Sequence, residues 1–235
     1  MIKKTIALMS LLALSLAAFA ISGIKLLEAE YDEYEPIESI PEEALLGKKE
    51  NAQVFYEEDD YESLEQLIRE KKLKPVICST PMTQTKNGIG TLKKPYYKEN
   101  KSGTRELASF AKKHQQKYVY SRIEPRGSLC SVFLLRPYTE AEIAKWKLGI
   151  GVRNITEDEN YYEDLPKGAY VMASFDGYPA INAGIQAADI ITQINSNKIE
   201  SEADLLDFEA SAQKGDHIRI TLVREGQEMT VDMEL

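Results

Sequence analysis

The sequence predicts an α+β protein in two folded parts, and three observations carry that prediction. Between residues 51 and 143, alternating and helically spaced apolar patterns follow one another as strand, helix, strand, helix, strand, strand. From residue 147 to 235, short β-branched runs are separated by Gly, Asn and Asp turn residues, the pattern of a small β-rich module with two helices. Ahead of both, the first fifty residues carry neither pattern: they are apolar, then acidic.

The chain has 235 residues, and its 43% hydrophobic content is enough for one or two packed cores. Its net charge of −9 argues against general nucleic-acid binding. Residues 1–24 open with Lys3 and Lys4 and continue as twenty uncharged residues rich in Leu and Ala. That is the pattern of a secretory signal, with Ala18-Phe19-Ala20 as an A-x-A site and cleavage after Ala20. Twenty apolar residues also suffice to span a bilayer, so an uncleaved inner-membrane anchor is the alternative. Lys3 and Lys4 then place the N-terminus in the cytoplasm. In both readings the body lies outside the cytoplasm, in the periplasm or secreted, and the membrane is touched only through an uncleaved N-terminal segment.

Residues 28–66 hold fifteen Asp and Glu against two Lys. The part from 25 to 50 contains Pro36 and Pro41 with weak periodicity, and reads as a flexible, solvated linker.

The next part, 51–143, starts with the strand Gln53-Val54-Phe55-Tyr56. A helix is predicted over 59–72, with Leu64, Leu67 and Ile68 as its buried stripe. A strand follows over 74–79, and then a long loop over 81–103, rich in Gly, Pro, Asn and Thr. A second helix over 104–116 puts Leu107, Phe110 and Ala111 on one face, and strands over 118–122 and 129–136 form a hairpin. This order faintly resembles a small α/β domain of bacterial lipoproteins, and no residue role is carried over from it. Residues 86–117 hold nine Lys and Arg against two Glu, either a surface for an anionic partner or a solvated complement to the acidic tract. Cys78 and Cys130 sit in predicted strands of this part and are a possible disulfide in an oxidising compartment; two separate buried thiols are the alternative.

In the last part, Val171-Met172-Ala173-Ser174 is a strand ended by Asp176-Gly177. Pro179 suits the first turn of a short helix, since proline has no N–H to leave unpaired. Ile190, Ile191 and Ile194 form a strand leading into the Asn195-Ser196-Asn197 turn. Ser201 caps a helix whose first turn carries Glu202 and Asp204 and which runs to about Gln213 before Gly215. Residues 217–224 and 228–235 alternate around Glu225-Gly226-Gln227, a β-hairpin.

Read together, Leu148-Gly149-Ile150-Gly151-Val152, Gly177-Tyr178-Pro179-Ala180, Ala183-Gly184-Ile185, Ala188-Asp189-Ile190-Ile191 and Ile194-Asn195 resemble a PDZ domain. The kind is the permuted one of bacterial envelope proteins such as the HtrA proteases. The resemblance covers 147–235 and implies a peptide-binding module, with a peptide or a protein C-terminus as partner. It implies that backbone amides of Leu148, Gly149 and Ile150 form an anion nest for a terminal carboxylate. The peptide would then add as a strand along 150–154, past Gly151 and Val152. Phe208, Ser211 and Ala212 would face the groove from the helix opposite. The sequence departs from the family at Ala188 and Ser196, where glycine is usual, at Phe208, which is large, and at Glu209, which is charged where the family is often apolar.

HtrA-type relatives carry a trypsin-like domain ahead of the PDZ domain. Here only His114 and His217 exist, no Gly-x-Ser-Gly loop occurs, and about a hundred residues are too few for the double barrel. No metal-ligand spacing, phosphate loop or dinucleotide fingerprint is present, so no cofactor is expected. The expectation is a non-catalytic exported envelope protein acting as an adaptor or scaffold. A membrane-anchored PDZ component of a secretion apparatus, or an accessory factor of an envelope protease, is the alternative. A third reading, an enzyme with chemistry in the 51–143 part, would need a cleft joining Cys78 or Cys130 to His114.

Overall fold

The computed structural model describes residues 24–28, 44–85, 88–91, 101–123, 130–155 and 157–235. The sequence builds two six-stranded sheets.

The first sheet contains β1 (Ile24–Glu28), β2 (Gln53–Tyr56), β3 (Leu73–Thr85), β4 (Gly88–Thr91), β5 (Tyr118–Ile123) and β6 (Cys130–Pro137), with helices α1 (Glu57–Lys71) and α2 (Lys101–Lys113). Its order is β1-β3-β6-β5-β2, with β4 paired to β3. Only the β2–β5 pair is parallel; the other pairs are antiparallel. The predicted order of strands and helices over 51–143 is present. Two expectations need correction. The 25–50 stretch is not linker throughout: β1 pairs with β3 from Ile24 opposite Thr83 to Glu28 opposite Ser79. Leu46 is buried, and its N–H donates to the Gln115 carbonyl at 2.8 Å. The paired piece is the apolar Ile24-Lys25-Leu26-Leu27-Glu28, ahead of the acidic run, and β3 supplies its ladder partners. The expected 81–103 loop instead carries the end of β3 and a return strand, β4, and its Thr residues suit a pleated strand. Pro75 lies inside β3 where the register with β6 shifts, a bulge that accommodates its missing N–H.

Among the described residues, β5 and β6 at the centre of the first sheet are buried on both faces. Val119, Val132 and Leu134 meet Leu107, Phe110 and Ala111 of α2. Tyr120, Phe133 and Leu135 meet Leu64 and Ile68 of α1 on the other face. This explains why β6 reads as a continuous apolar run, with no alternation. Cys78 lies opposite Phe133 and Cys130 opposite Ile123 on neighbouring strands; their side chains lie outside the described residues. So do most of the basic loop and residues 1–23, with the export signal. Among the described residues no helix is long and apolar enough to cross a membrane.

After the short α3 (Glu140–Ile143), the second sheet holds β7 (Ile150–Asn154), β8 (Ala169–Ser174), β9 (Ile190–Ile194), β10 (Asn197–Lys198), β11 (His217–Arg224) and β12 (Gln227–Glu234). Helices α4 (Glu157–Tyr162), α5 (Pro179–Asn182) and α6 (Glu202–Ser211) lie among them. The order is β12-β11-β9-β8-β7, with β10 on β9. Ile150, Val152, Val171, Ile191, Ile194, Leu205, Ile220 and Leu222 form its core. The Ser201 hydroxyl accepts the Asp204 N–H, as the cap pattern predicts. The two departures from glycine resolve differently. Ala188 itself adopts φ +69°, whereas at the Asn195-Ser196 turn the left-handed residue is Asn195, φ +54°.

The sheets share a third core. Leu64, Ile68, Tyr120, Phe133 and Leu135 from the first pack with Met172, Ala173 and Phe175 beside the second, joined by Trp146 from the connecting segment. The molecule is therefore mixed α+β, with a large buried interface between its two halves.

Candidate functional site

β7 is an edge strand of its sheet: β8 flanks it on one side, and α6 packs beside it. The loop that leads into β7 is held from below. The Leu148 carbonyl accepts the Ala180 N–H at 3.2 Å, and the Gly149 carbonyl accepts the Phe175 N–H at 2.8 Å. Leu148 is fully buried in the core. Gly149 has φ +73°, and a Cβ there would stand 2.1 Å from Tyr178 Cβ. Backbone conformation and contact both demand glycine at this position. Leu148, Gly149 and Ile150 thus form a turn that leads into β7.

The amides of that turn already have an acceptor. Glu209 of α6 is 3% exposed. Its Oε1 accepts the Lys147 N–H at 2.8 Å and the Leu148 N–H at 2.7 Å. Burial pushes this carboxyl up, the two amides and the Lys147 charge pull it down, and burial wins. At the other end of the groove, Asn154 Oδ1 accepts the Glu202 N–H at 2.8 Å. The helix is therefore tied to β7 at both ends.

Of the helix residues expected to face the groove, Phe208 packs half-buried against the domain core. Ser211 is exposed, and its hydroxyl donates to the Phe208 carbonyl at 2.8 Å. Ala212 caps the helix through its own N–H to the same carbonyl. The side chain that α6 brings onto the loop is Glu209. The sequence marked it only as an oddity.

The second residue that sequence reasoning missed is Tyr138. Its hydroxyl is buried, and burial pushes it well above the ordinary tyrosine range. It also lies 3.6 Å from where a Gly151 Cβ would be. Tyr138 belongs to an aromatic group with Trp146, 4.7 Å away edge-on, and Phe175, which stacks on Trp146 at 4.5 Å. Tyr178, which packs on Gly149, meets Trp146 edge-on at 5.6 Å.

Behind β7, Arg153 is 2% exposed and lies over the Tyr170 ring at 4.0 Å. Its guanidinium donates to both oxygens of the fully buried Glu159, at 2.9 and 2.8 Å. Arg122 of β5 contacts the same carboxylate at 3.0 Å, and Glu57 of α1 completes the cluster. This cluster crosses from one half of the molecule to the other. Among the described residues no group of His, Cys, Asp and Glu could hold a metal ion. His114 is buried beside Phe110, and His217 is exposed on β11, so the described histidines are not together.

The comparisons with known proteins fall on this half of the chain. A PDZ-domain family model matches residues 147–235. A probable periplasmic serine endoprotease, DegP-like, of Hahella chejuensis is 31% identical over 90 residues, covering 37% of this chain and 19% of that protein. The periplasmic pH-dependent serine endoprotease DegQ of Escherichia coli is 30% identical over 96 residues, covering 40% of this chain and 21% of DegQ. The chain thus spans about a fifth of the length of these curated relatives. A crystal structure of the HtrA3 PDZ domain bound to a phage-derived ligand aligns over 37% of this chain and 81% of that chain, at 21% identity and a TM-score of 0.33. The match to the DegP-like proteases covers the PDZ part alone, and residues 147–235 of this protein are a PDZ domain.

Proposed function

We propose that the PDZ domain binds extended peptide by strand addition along β7, and that the chain is a non-catalytic adaptor in the bacterial envelope. The observation that carries this reading is the position of β7, an edge strand preceded by a glycine turn and walled by α6. Strand addition draws affinity from main-chain hydrogen bonds and specificity from side-chain pockets. The Tyr138 hydroxyl, close to Gly151 of this strand, occupies space that an added strand would need. Export to the periplasm is supported by the apolar start with Ala18-Phe19-Ala20 and by the periplasmic names of the relatives.

The test is an NMR titration of the protein with a library of short apolar peptides. Peptides that bind should shift the amides of residues 148–154 and leave those of β12 unmoved. Gly149→Val should abolish the shifts, because the new side chain meets Tyr178. Tyr138→Phe, which keeps the ring and removes only the hydroxyl, should leave the fold intact and strengthen binding. If no peptide moves residues 148–154 of the wild-type protein, the reading is wrong.

A further inference from the structure

We infer that Glu209 is a built-in substitute for a ligand's terminal carboxylate, so that the groove takes internal peptide segments in place of free C-termini. The inference rests on the reading of β7 as a peptide-binding edge.

Glu209 lies four residues after Leu205, on the same inward face of α6, and both are buried. An apolar side chain would fill that position at far lower desolvation cost than a carboxylate. What the carboxylate gains is two backbone amides, Lys147 and Leu148, at 2.8 and 2.7 Å. Among the described residues no side-chain donor shares it. A carboxylate held by consecutive backbone amides at a turn is the same chemistry as a peptide terminus in an anion nest. The chain has supplied that carboxylate from its own helix.

Two consequences follow for the ligand. The Leu148 N–H is one of the three amides a terminal carboxylate would need, and it is already donated. An incoming carboxylate would also approach Glu209 itself, and two like charges in a dry site repel strongly. The Lys147 charge also acts on Glu209. A peptide whose backbone continues past the turn meets neither obstacle, because it brings no charge there and draws its hydrogen bonds from the β7 edge. Glu209 therefore sets the class of ligand: uncharged main chain at the turn, with side-chain selection farther along the strand.

The experiment uses the full chain and one apolar peptide sequence in three forms: free C-terminal acid, C-terminal amide, and the same sequence embedded between flanking residues. For the wild-type protein the amide and embedded forms should bind at least as well as the free acid. Glu209→Leu vacates the amides and removes the charge; it should shift the acid-to-amide affinity ratio toward the acid by about tenfold, the scale of one charge-assisted contact. Glu209→Gln keeps the size and an acceptor, and should shift the ratio less. A wild-type preference of tenfold or more for the free acid overturns the inference while leaving peptide binding in place, and so does a ratio unchanged by Glu209→Leu. A second measurement needs no peptide. The Lys147 and Leu148 amide protons should titrate together with one midpoint in the wild type, and that shared titration should vanish in Glu209→Leu. Its absence from the wild type overturns the inference whatever peptides do. If the amides titrate together but no peptide of any form moves β7 in any variant, the peptide reading fails and the ligand class falls with it.

Discussion

Two buried carboxylates flank the same strand, and their partners differ. Glu159 lies behind β7 and is gripped by two guanidinium groups, Arg153 and Arg122, one from each half of the molecule. Glu209 lies at the head of β7 and is held by two neutral amides of the loop. The first arrangement neutralises charge with charge and fixes how the halves sit. The second leaves a buried carboxylate held by neutral donors at the head of the strand. A charged partner makes a joint; a neutral partner makes a site that can discriminate by charge.

The contrast is broken most violently at the joint. Glu159→Ala strips Arg153 of its bidentate partner inside a site where the arginine is 2% exposed. An unpaired buried charge costs about 3–5 kcal/mol, so urea unfolding should show a loss of that size. The pair replacement Arg153→Met with Glu159→Leu should cost much less, since it removes both charges together. Equal losses for the single and the double replacement would mean that packing, and not charge, holds the joint.

Trp146 tests whether joint and groove are coupled. It stacks on Phe175, meets Tyr138 edge-on and packs in the core shared by both halves. Trp146→Ala should cost about 3 kcal/mol, the lower end for truncating a buried aromatic. It should also loosen the Tyr138 ring, whose hydroxyl lies close to Gly151, and this would be read as a shift of the Val152 amide resonance. A stability loss with an unmoved Val152 amide would separate the two sites.

The legibility of these features follows their range along the chain. The PDZ half was readable because its signals are local: Gly149, Pro179, the Ser201 cap and the Glu225-Gly226 turn each act within a few residues. The strand and helix order of the first half was readable for the same reason. β1 and β4 were not, because such short strands owe their structure to a partner strand and not to their own pattern. α4 was missed because Glu157-Asp158-Glu159 reads as a solvated acidic run, and nothing local shows that Glu159 meets Arg153. Glu209 was visible as a charge at an apolar position, but its role needs a loop 61 residues away in sequence. Phe208, placed in the groove by the resemblance, is half-buried against the domain core.

The smallest effect, and the one that speaks most directly to the comparison, is the pH dependence. Burial raises the Glu209 carboxyl above the ordinary glutamate value of 4.5, against the pull of the Leu148 and Lys147 amides and the Lys147 charge. The folded state therefore holds this proton more tightly than the unfolded chain does. Between 4.5 and the raised value the folded protein binds more protons, so this group's contribution to stability falls as pH rises through that window. Glu142 gives the opposite case. Burial raises it too, but hydrogen bonds from Arg136, Lys74 and the Thr139 amide outweigh burial and hold it well below the carboxylate range. Its contribution is present above 4.5 and is lost only in strong acid. Urea midpoints measured from pH 4 to pH 8 should therefore show a sloping difference between wild type and Glu209→Gln, with the wild type gaining toward acid. The difference between wild type and Glu142→Gln should stay flat across the upper part of that range. A flat Glu209 difference would mean that the loop amides fully compensate its burial.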